Sequence, residues 1–166
     1  MTILRDVLEP NLAIVFCGTA AGNASARRRA YYAGRGNRFW STLFNVGLTP
    51  RELKPEEYME VIRLGLGLTD LVKSVSGNDN ALAREHFDPD RLRQAIRKFH
   101  PRILAFTSKR AATAFLGRPV GYGLLPEECE ATKLFVLPSP SGAARRYWCQ
   151  DHWHDLASLK QALALG

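Results

Sequence analysis

The chain has 166 residues, 46% of them apolar and 23% charged, the proportions of one globular domain with a substantial core. Lys and Arg number 23 against 16 Asp and Glu, so the formal charge is +7 and the pI about 9.7; such a surface favours polyanions, nucleic acid first among them. No apolar run approaches the ~20 residues of a membrane span, and the first ten residues lack the apolar stretch of a signal peptide, so a cytoplasmic protein with no membrane partner is expected.

In chain order, residues 1–11 read as a short lead-in. Residues 12–17, LAIVFC, are an unalternating apolar run too short for a helix, which suits a strand covered on both faces as in a parallel sheet. A glycine-bounded turn follows, Gly18-Thr19-Ala20-Ala21-Gly22, expected to expose main-chain N–H groups at the carboxyl end of that strand, where open α/β sheets bind ligands. Residues 18–36 read as one long loop carrying Arg27, Arg28 and Arg29 and then Tyr31 and Tyr32; loops of that length are usually functional or disordered. Asn37 is placed to cap a helix over about 38–46, ended by Gly47. Thr49-Pro50-Arg51-Glu52 reads as a helix start, and residues 55–64 as a second turn or helix.

Residues 65–71 form a short strand, and residues 74–88 are polar and irregular. Asp88-Pro89 opens a helix to about Phe99, with Leu92, Ile96 and Phe99 on one face. Residues 102–106 are a third buried strand. Thr107-Ser108 caps a helix over 109–116, which Gly117 stops. Residues 118–132 are irregular with at most a short edge strand, residues 133–137 are the last strand, and a final helix covers about 146–163. The alternation predicts a three-layer α/β/α sandwich around a central, mostly parallel four-stranded sheet, a single domain over 1–166. The strand ends bring residues 18–36, 69–80, 107–109 and 138–145 to one edge. Cys17, Cys129 and Cys149 are odd in number and far apart, which suggests neither a zinc site nor a disulfide framework and leaves too few thiolates for an iron–sulfur cluster; no metal and no cofactor is expected.

Two stretches at that edge carry a family resemblance. GTAAG followed by YYAGRGNRFW resembles the first motif of the uracil-DNA glycosylase superfamily, nearest its mismatch-specific branch. Residues 137–145, LPSPSGAAR, are similar to that branch's N-P-S-G-x-x-R loop, and residues 65–71, GLGLTDL, to its middle strand. The resemblance runs in order over about 14–163. It implies a uracil-DNA glycosylase-like fold and base-excision repair by a monomer acting on double-stranded, uracil-containing DNA. The base would be flipped out and its N-glycosidic bond hydrolysed, leaving an abasic site and free uracil. Alternatives are another base, hypoxanthine or thymine in a G·T mismatch, or a module that grips uracil or abasic DNA without cutting.

The resemblance also distributes roles. Tyr32 aligns with the aromatic that stacks on the flipped base, the alternative being that Tyr31 or Tyr32 packs beneath the loop. Gly18 and the backbone of Thr19, Ala20, Ala21 and Gly22 would offer N–H groups to a base carbonyl, as an oxyanion hole does. Asn37 either orders this loop around the base or is a helix cap, and Ser139 stands where some branches carry a histidine. Arg145 is the candidate wedge for the duplex, with Gly142 allowing close approach and Ser141 touching phosphate. Arg27, Arg28 and Arg29, which depart from the branch's loop, and Lys109 are candidates for phosphate contact. The main departure is Ala20, where the branch has the Asn that orients the attacking water. Asp70, at the end of the second strand, is the nearest replacement, the alternative being a turn-capping Asp; Asn23 and Asp79 are weaker candidates. His152 and His154 point to different faces of the last helix and read as structural.

Overall fold

The structure, a computed structural model, describes residues 2–165, with Asp79 described by its backbone alone. Five strands form one sheet in the order β2-β1-β3-β5-β4. β1 (Ile14–Ala20), β2 (Leu66–Val72), β3 (Ile103–Phe106) and β5 (Thr132–Val136) are parallel, and β4 (Gly123–Cys129) runs antiparallel to β5. The fifth strand corrects the expectation of four. Its sequence, GLLPEEC, carries Pro126, which cannot donate to a ladder and is tolerated only on an edge or at a bulge. β4 is an edge strand, and its register shifts between Leu124 and Glu128.

The apolar run is a strand buried on both faces. Ile14 and Phe16 enter one core with Phe39, Trp40, Leu43 and Trp153. Val15 and Cys17 enter a second with Leu92, Ile96, Ala112 and Phe115. Helices α3 (Pro89–Phe99) and α4 (Lys109–Leu116) therefore cover one face, and α2 (Phe39–Asn45) and α5 (Asp151–Ala164) the other. α3 and α4 begin where the capping residues place them, with the Asp88 carboxylate accepting from Arg91 N and the Ser108 hydroxyl from Ala111 N. No helix among the described residues is long and apolar enough to cross a membrane.

Four local expectations change. β1 continues to Ala20, because Gly18 and Ala20 still pair with Asp70 and Val72; the turn is thus confined to Ala21 and Gly22. The long loop contains a helix, α1 (Asn23–Arg28). Thr49-Pro50-Arg51-Glu52 starts no helix, the helical segment there being the 3-10 stretch Pro55–Leu64. α5 starts at Asp151, leaving residues 138–150 irregular.

The lead-in is part of the fold. Val7 pairs antiparallel with Leu68, exchanging backbone hydrogen bonds of 2.8 and 2.9 Å, and Ile3 N donates to Lys73 O. The segment thereby covers the otherwise open edge of β2. It can do so because Gly67 has no side chain. A Cβ there would lie 2.6 Å from the Val7 carbonyl oxygen and 2.7 Å from Leu12 Cδ1. Gly67→Ala should push the segment off the strand and cost about 1–3 kcal/mol in urea unfolding, the range for overpacking a tight core; an unchanged midpoint would show that the edge contact yields without loss.

Candidate active site

Strands β1 and β2 leave the sheet side by side, and their register sets Gly18 against Asp70. A Cβ on Gly18 would lie 2.9 Å from Asp70 Oδ1, 3.3 Å from the Tyr32 hydroxyl and 3.5 Å from Thr107 Oγ1. The bare glycine is what lets these three polar groups converge. Thr107 is held there as the residue after β3, its N–H donating to Cys17 O. The Tyr32 hydroxyl and Thr107 Oγ1 are 3.1 Å apart and hydrogen-bonded.

The paired tyrosines separate. Tyr31 is a core residue: its hydroxyl donates to Arg5 O and accepts from Lys73 Nζ, and its carbonyl accepts from Trp40 Nε1. Tyr32 has φ +54°, a left-handed backbone that bulky residues avoid. That turn reverses its side chain into the site. One ring face stacks on Phe39 at 3.8 Å between centroids and 16° between planes, and the ring also lines a cavity of about 460 Å³.

That cavity opens at the carboxyl edge of the sheet. Thr19, Ala20, Ala21 and Gly22 line it from β1 and the turn, Thr107 and Ser108 from the end of β3, and Asp70 from β2. Gly77 and Asn78 close it from the loop after β2, anchored by Gly77 N donating to Ala21 O and Ser76 Oγ to Asn23 Oδ1. Asn37 lines it as well. Its Oδ1 accepts from Phe39 N, the first residue of α2, although the N-cap position falls on Arg38 and not on Asn37; among the described residues its amide N–H groups remain as donors.

Ser139, Ser141 and Gly142 form the opposite wall. The two motif loops touch backbone to backbone. Arg38 N donates to Pro140 O, and a Cβ on Gly142 would lie 2.6 Å from Arg35 O. Gly142 therefore serves loop-to-loop packing, where the sequence suggested approach to a duplex. Ser139 Oγ and Ser141 Oγ accept from Ser141 N and Ala143 N, stiffening their own loop. Arg145 is exposed, with Nε donating to Gly142 O.

Asp70 is 4% exposed, and burial pushes its carboxyl up to about 6, with Lys73 drawing it down and Asp6 adding to the rise. Lys73 Nζ lies 3.7 Å from Asp70 Oδ2, and Arg91 Nη2 donates to the Asp70 carbonyl oxygen, not to its carboxylate. Both Tyr32 and Cys17 are pushed upward, first by burial and next by the Asp70 charge.

A profile of the Uracil DNA glycosylase superfamily matches residues 5–160. The chain belongs to that superfamily. Its fold is similar to the solution NMR structure of a candidate uracil DNA glycosylase from Methanosarcina acetivorans, with a TM-score of 0.63 and 22% identity over 97% of this chain and 96% of the other.

Within that superfamily frame, the first motif and the Pro-Ser-Gly loop meet across one cavity, with Asp70 at its floor. Thr19 and Ala20 belong to β1 and only Ala21 and Gly22 to the turn, and all four line the cavity. The arginine triplet divides. Arg28 reaches Glu56 with Nε and Nη2 at 2.8 and 2.9 Å and the Ala33 carbonyl with Nη1, tethering the loop, while Arg27 and Arg29 are exposed. Lys109 Nζ stands 4.3 Å over the Tyr122 ring, beside the cavity wall at Ser108. The Asp79 side chain lies outside the described atoms. Sequence reasoning missed Thr107 as a cavity group, although it follows a buried strand, and missed Asp6 and Lys73, which no motif marks.

The Asp70 carboxyl titrates near 3.8 when unfolded and about 6 when folded, so the folded chain binds this proton more tightly. Its contribution to stability is complete below pH 4 and is lost as pH rises through 6, a difference of roughly 3 kcal/mol. Asp70→Asn should therefore raise the unfolding free energy at pH 8 by about 1–3 kcal/mol and leave it nearly unchanged at pH 4. Chemical denaturation at the two pH values measures this, and equal effects at both would refute the raised carboxyl.

Proposed function

We propose that the chain excises uracil from DNA by hydrolysing the N-glycosidic bond, and that it stands nearest the mismatch-specific branch of its superfamily. The observation that carries this reading is the meeting of one aromatic face and one buried carboxylate, Tyr32 and Asp70, in a single cavity at the sheet's carboxyl edge. A base leaving the duplex needs a flat surface to replace the stack it loses, and Tyr32 is already braced from behind by Phe39. The C1′–N bond then breaks with its electron pair leaving on the base. The sugar gains positive charge, and water adds to C1′ and gives up a proton. Asp70, ionised above about pH 6, is suited to offset that charge and accept that proton. Donors for the base edge are available from the Asn37 amide and the Ser139 hydroxyl.

The DNA itself meets the rim. Arg145 follows the Pro-Ser-Gly loop and takes the wedge role, with Ser141 of the same loop, exposed Arg27 and Arg29, and Lys109 as phosphate contacts. The duplex form, the monomeric state and release of free uracil belong to this same reading. A second reading is favoured by Ala20, which lines the cavity and whose side chain cannot orient water as an Asn does. It makes the chain a uracil-binding module without turnover.

Incubation with matched oligonucleotides bearing uracil, hypoxanthine or a G·T mismatch, scored for abasic sites, separates these readings and ranks the bases. Uracil should be cut fastest; damage-selective binding with no abasic product would establish the binding module. Asp70→Asn should slow single-turnover excision by ~10²–10⁴-fold, and a rate within about threefold of the parent would remove Asp70 from the chemistry. Replacing Arg27 and Arg29 together with Ala should lower the log–log salt slope of DNA binding by about 1.8 if each meets a phosphate. Binding isotherms at four salt concentrations read it, and an identical slope would make both solvated side chains.

A further inference from the structure

Behind Asp70 lies a cluster of two carboxylates and two cations, drawn from four parts of the chain, in which Asp70 is buried and its three partners are partly buried. Asp6 comes from the N-terminal segment, Asp70 from β2, Lys73 from just beyond β2 and Arg91 from α3. The cations are not shared evenly. Lys73 Nζ is 2.9 Å from Asp6 Oδ1 but 3.7 Å from Asp70 Oδ2, a longer and weaker ion pair. Arg91 Nη1 is 2.7 Å from Asp6 Oδ2, and its Nη2 turns to the Asp70 carbonyl and to Thr69 Oγ1. Thr69 Oγ1 also donates to Asp6 Oδ1, at 2.7 Å. Asp6 thus takes three short contacts and the Asp70 carboxylate none of them.

We propose that Asp6 is a positioning residue for the active-site acid: by holding Lys73 and Arg91 in short contacts it keeps both cations from closing on Asp70, whose carboxylate stays turned toward Gly18 and the cavity. This rests on the reading of Asp70 as the reacting carboxylate.

Physical chemistry gives the arrangement a direction. An acid gripped by two cations in a buried site is held ionised, hydrogen-bonded and poor at accepting a proton. Asp6 shows that state, its carboxyl lying below the ordinary range despite burial. Asp70, a few ångströms along the same cations, is raised instead. Among the described residues, the groups facing Asp70 are Lys73, Asp6, Arg91, the hydroxyls of Tyr31, Tyr32 and Thr107, and the Cys17 thiol. Only Asp6, Lys73 and Arg91 among these carry charge at neutral pH. The acid's proton affinity is accordingly set by how the two cations divide between the two carboxylates. The division depends on the N-terminal segment being seated on β2, since Asp6 immediately precedes Val7, the residue that pairs with Leu68.

The test reads Asp70 directly, by carbon-13 NMR of the carboxyl resonances in the full chain, with Asp70→Asn assigning the signal. In Asp6→Asn a negative charge is lost and both cations are free to turn. The Asp70 midpoint should fall by roughly one pH unit, and the acid limb of single-turnover uracil excision should move down with it, giving up to about tenfold faster reaction at low pH. In Lys73→Met the Asp6 charge bears on Asp70 without its partner, and both midpoint and limb should move up. Opposite movements from two removals in one cluster are not what simple loosening of the fold would produce. An Asp70 midpoint unmoved or raised in folded Asp6→Asn overturns the proposal. If Asp6→Asn does not fold, Lys73→Met decides, and a midpoint that stays or falls overturns it. Midpoints that move as expected while the excision profile stays still would support the role of Asp6 and refute instead the catalytic reading of Asp70.

Discussion

The organisation of this molecule depends on keeping an ionisable carboxylate, Asp70, out of water at the end of a buried strand. An isolated charge there would be prohibitive, and the usual relief is a close cation or a lost proton. The protein uses part of each. Lys73 stands near without closing, and the carboxyl is raised to about 6 without being locked neutral. That intermediate state fixes much of what surrounds it. The adjacent strand position must be Gly18, the hydroxyls of Tyr32 and Thr107 must be paired with each other, and a second carboxylate must absorb the surplus positive charge.

The scaffold gives these demands a rigid frame. β1 is paired on both sides, so Gly18 and the turn after it cannot drift relative to Asp70 and Thr107. The two motif loops are locked by contacts that admit no side chain at Gly142, and Trp153 anchors the start of the second through the Pro138 carbonyl. Cavity walls built this way hold their spacing without a ligand. Pre-set geometry of that kind is what spares a site the cost of ordering itself on binding.

The elements legible in the sequence are those whose signal is local. The double-faced apolar run, the Asp88 and Ser108 caps and the glycine stops at 47 and 117 each involve residues within a few positions of one another. What stayed hidden depends on contacts distant in sequence. The Leu12-to-Cys17 run could not reveal that pairing with β2 would extend the strand through Ala20. The triplet of arginines looked like one electrostatic unit until Glu56, 28 residues away, claimed Arg28. Asp6 had no signal at all, since a lone acid in a polar lead-in is ordinary. Its role follows only once Val7 is seated on Leu68. The motif loops were readable as partners because glycine and small residues mark close approach, but what Gly142 approaches is the other loop.

Two departures from local rules fall on one cavity. Tyr32 accepts a left-handed backbone, a cost of order 1–3 kcal/mol for a residue with a bulky side chain. Asp70 accepts burial that its neighbours relieve only in part. The Asp70 charge does not help the fold, since an Asn at 70 would spare it. Nearby, the Tyr31 hydroxyl has two partners and Asp6 takes three short contacts. Strain and incomplete compensation coincide in space at this cavity, the pattern expected where a site serves something other than stability. Ala20 has no polar side-chain group, and among the described residues Asp70 is the carboxylate that lines the cavity, so the proposed chemistry rests on Asp70 and on the Tyr32 ring.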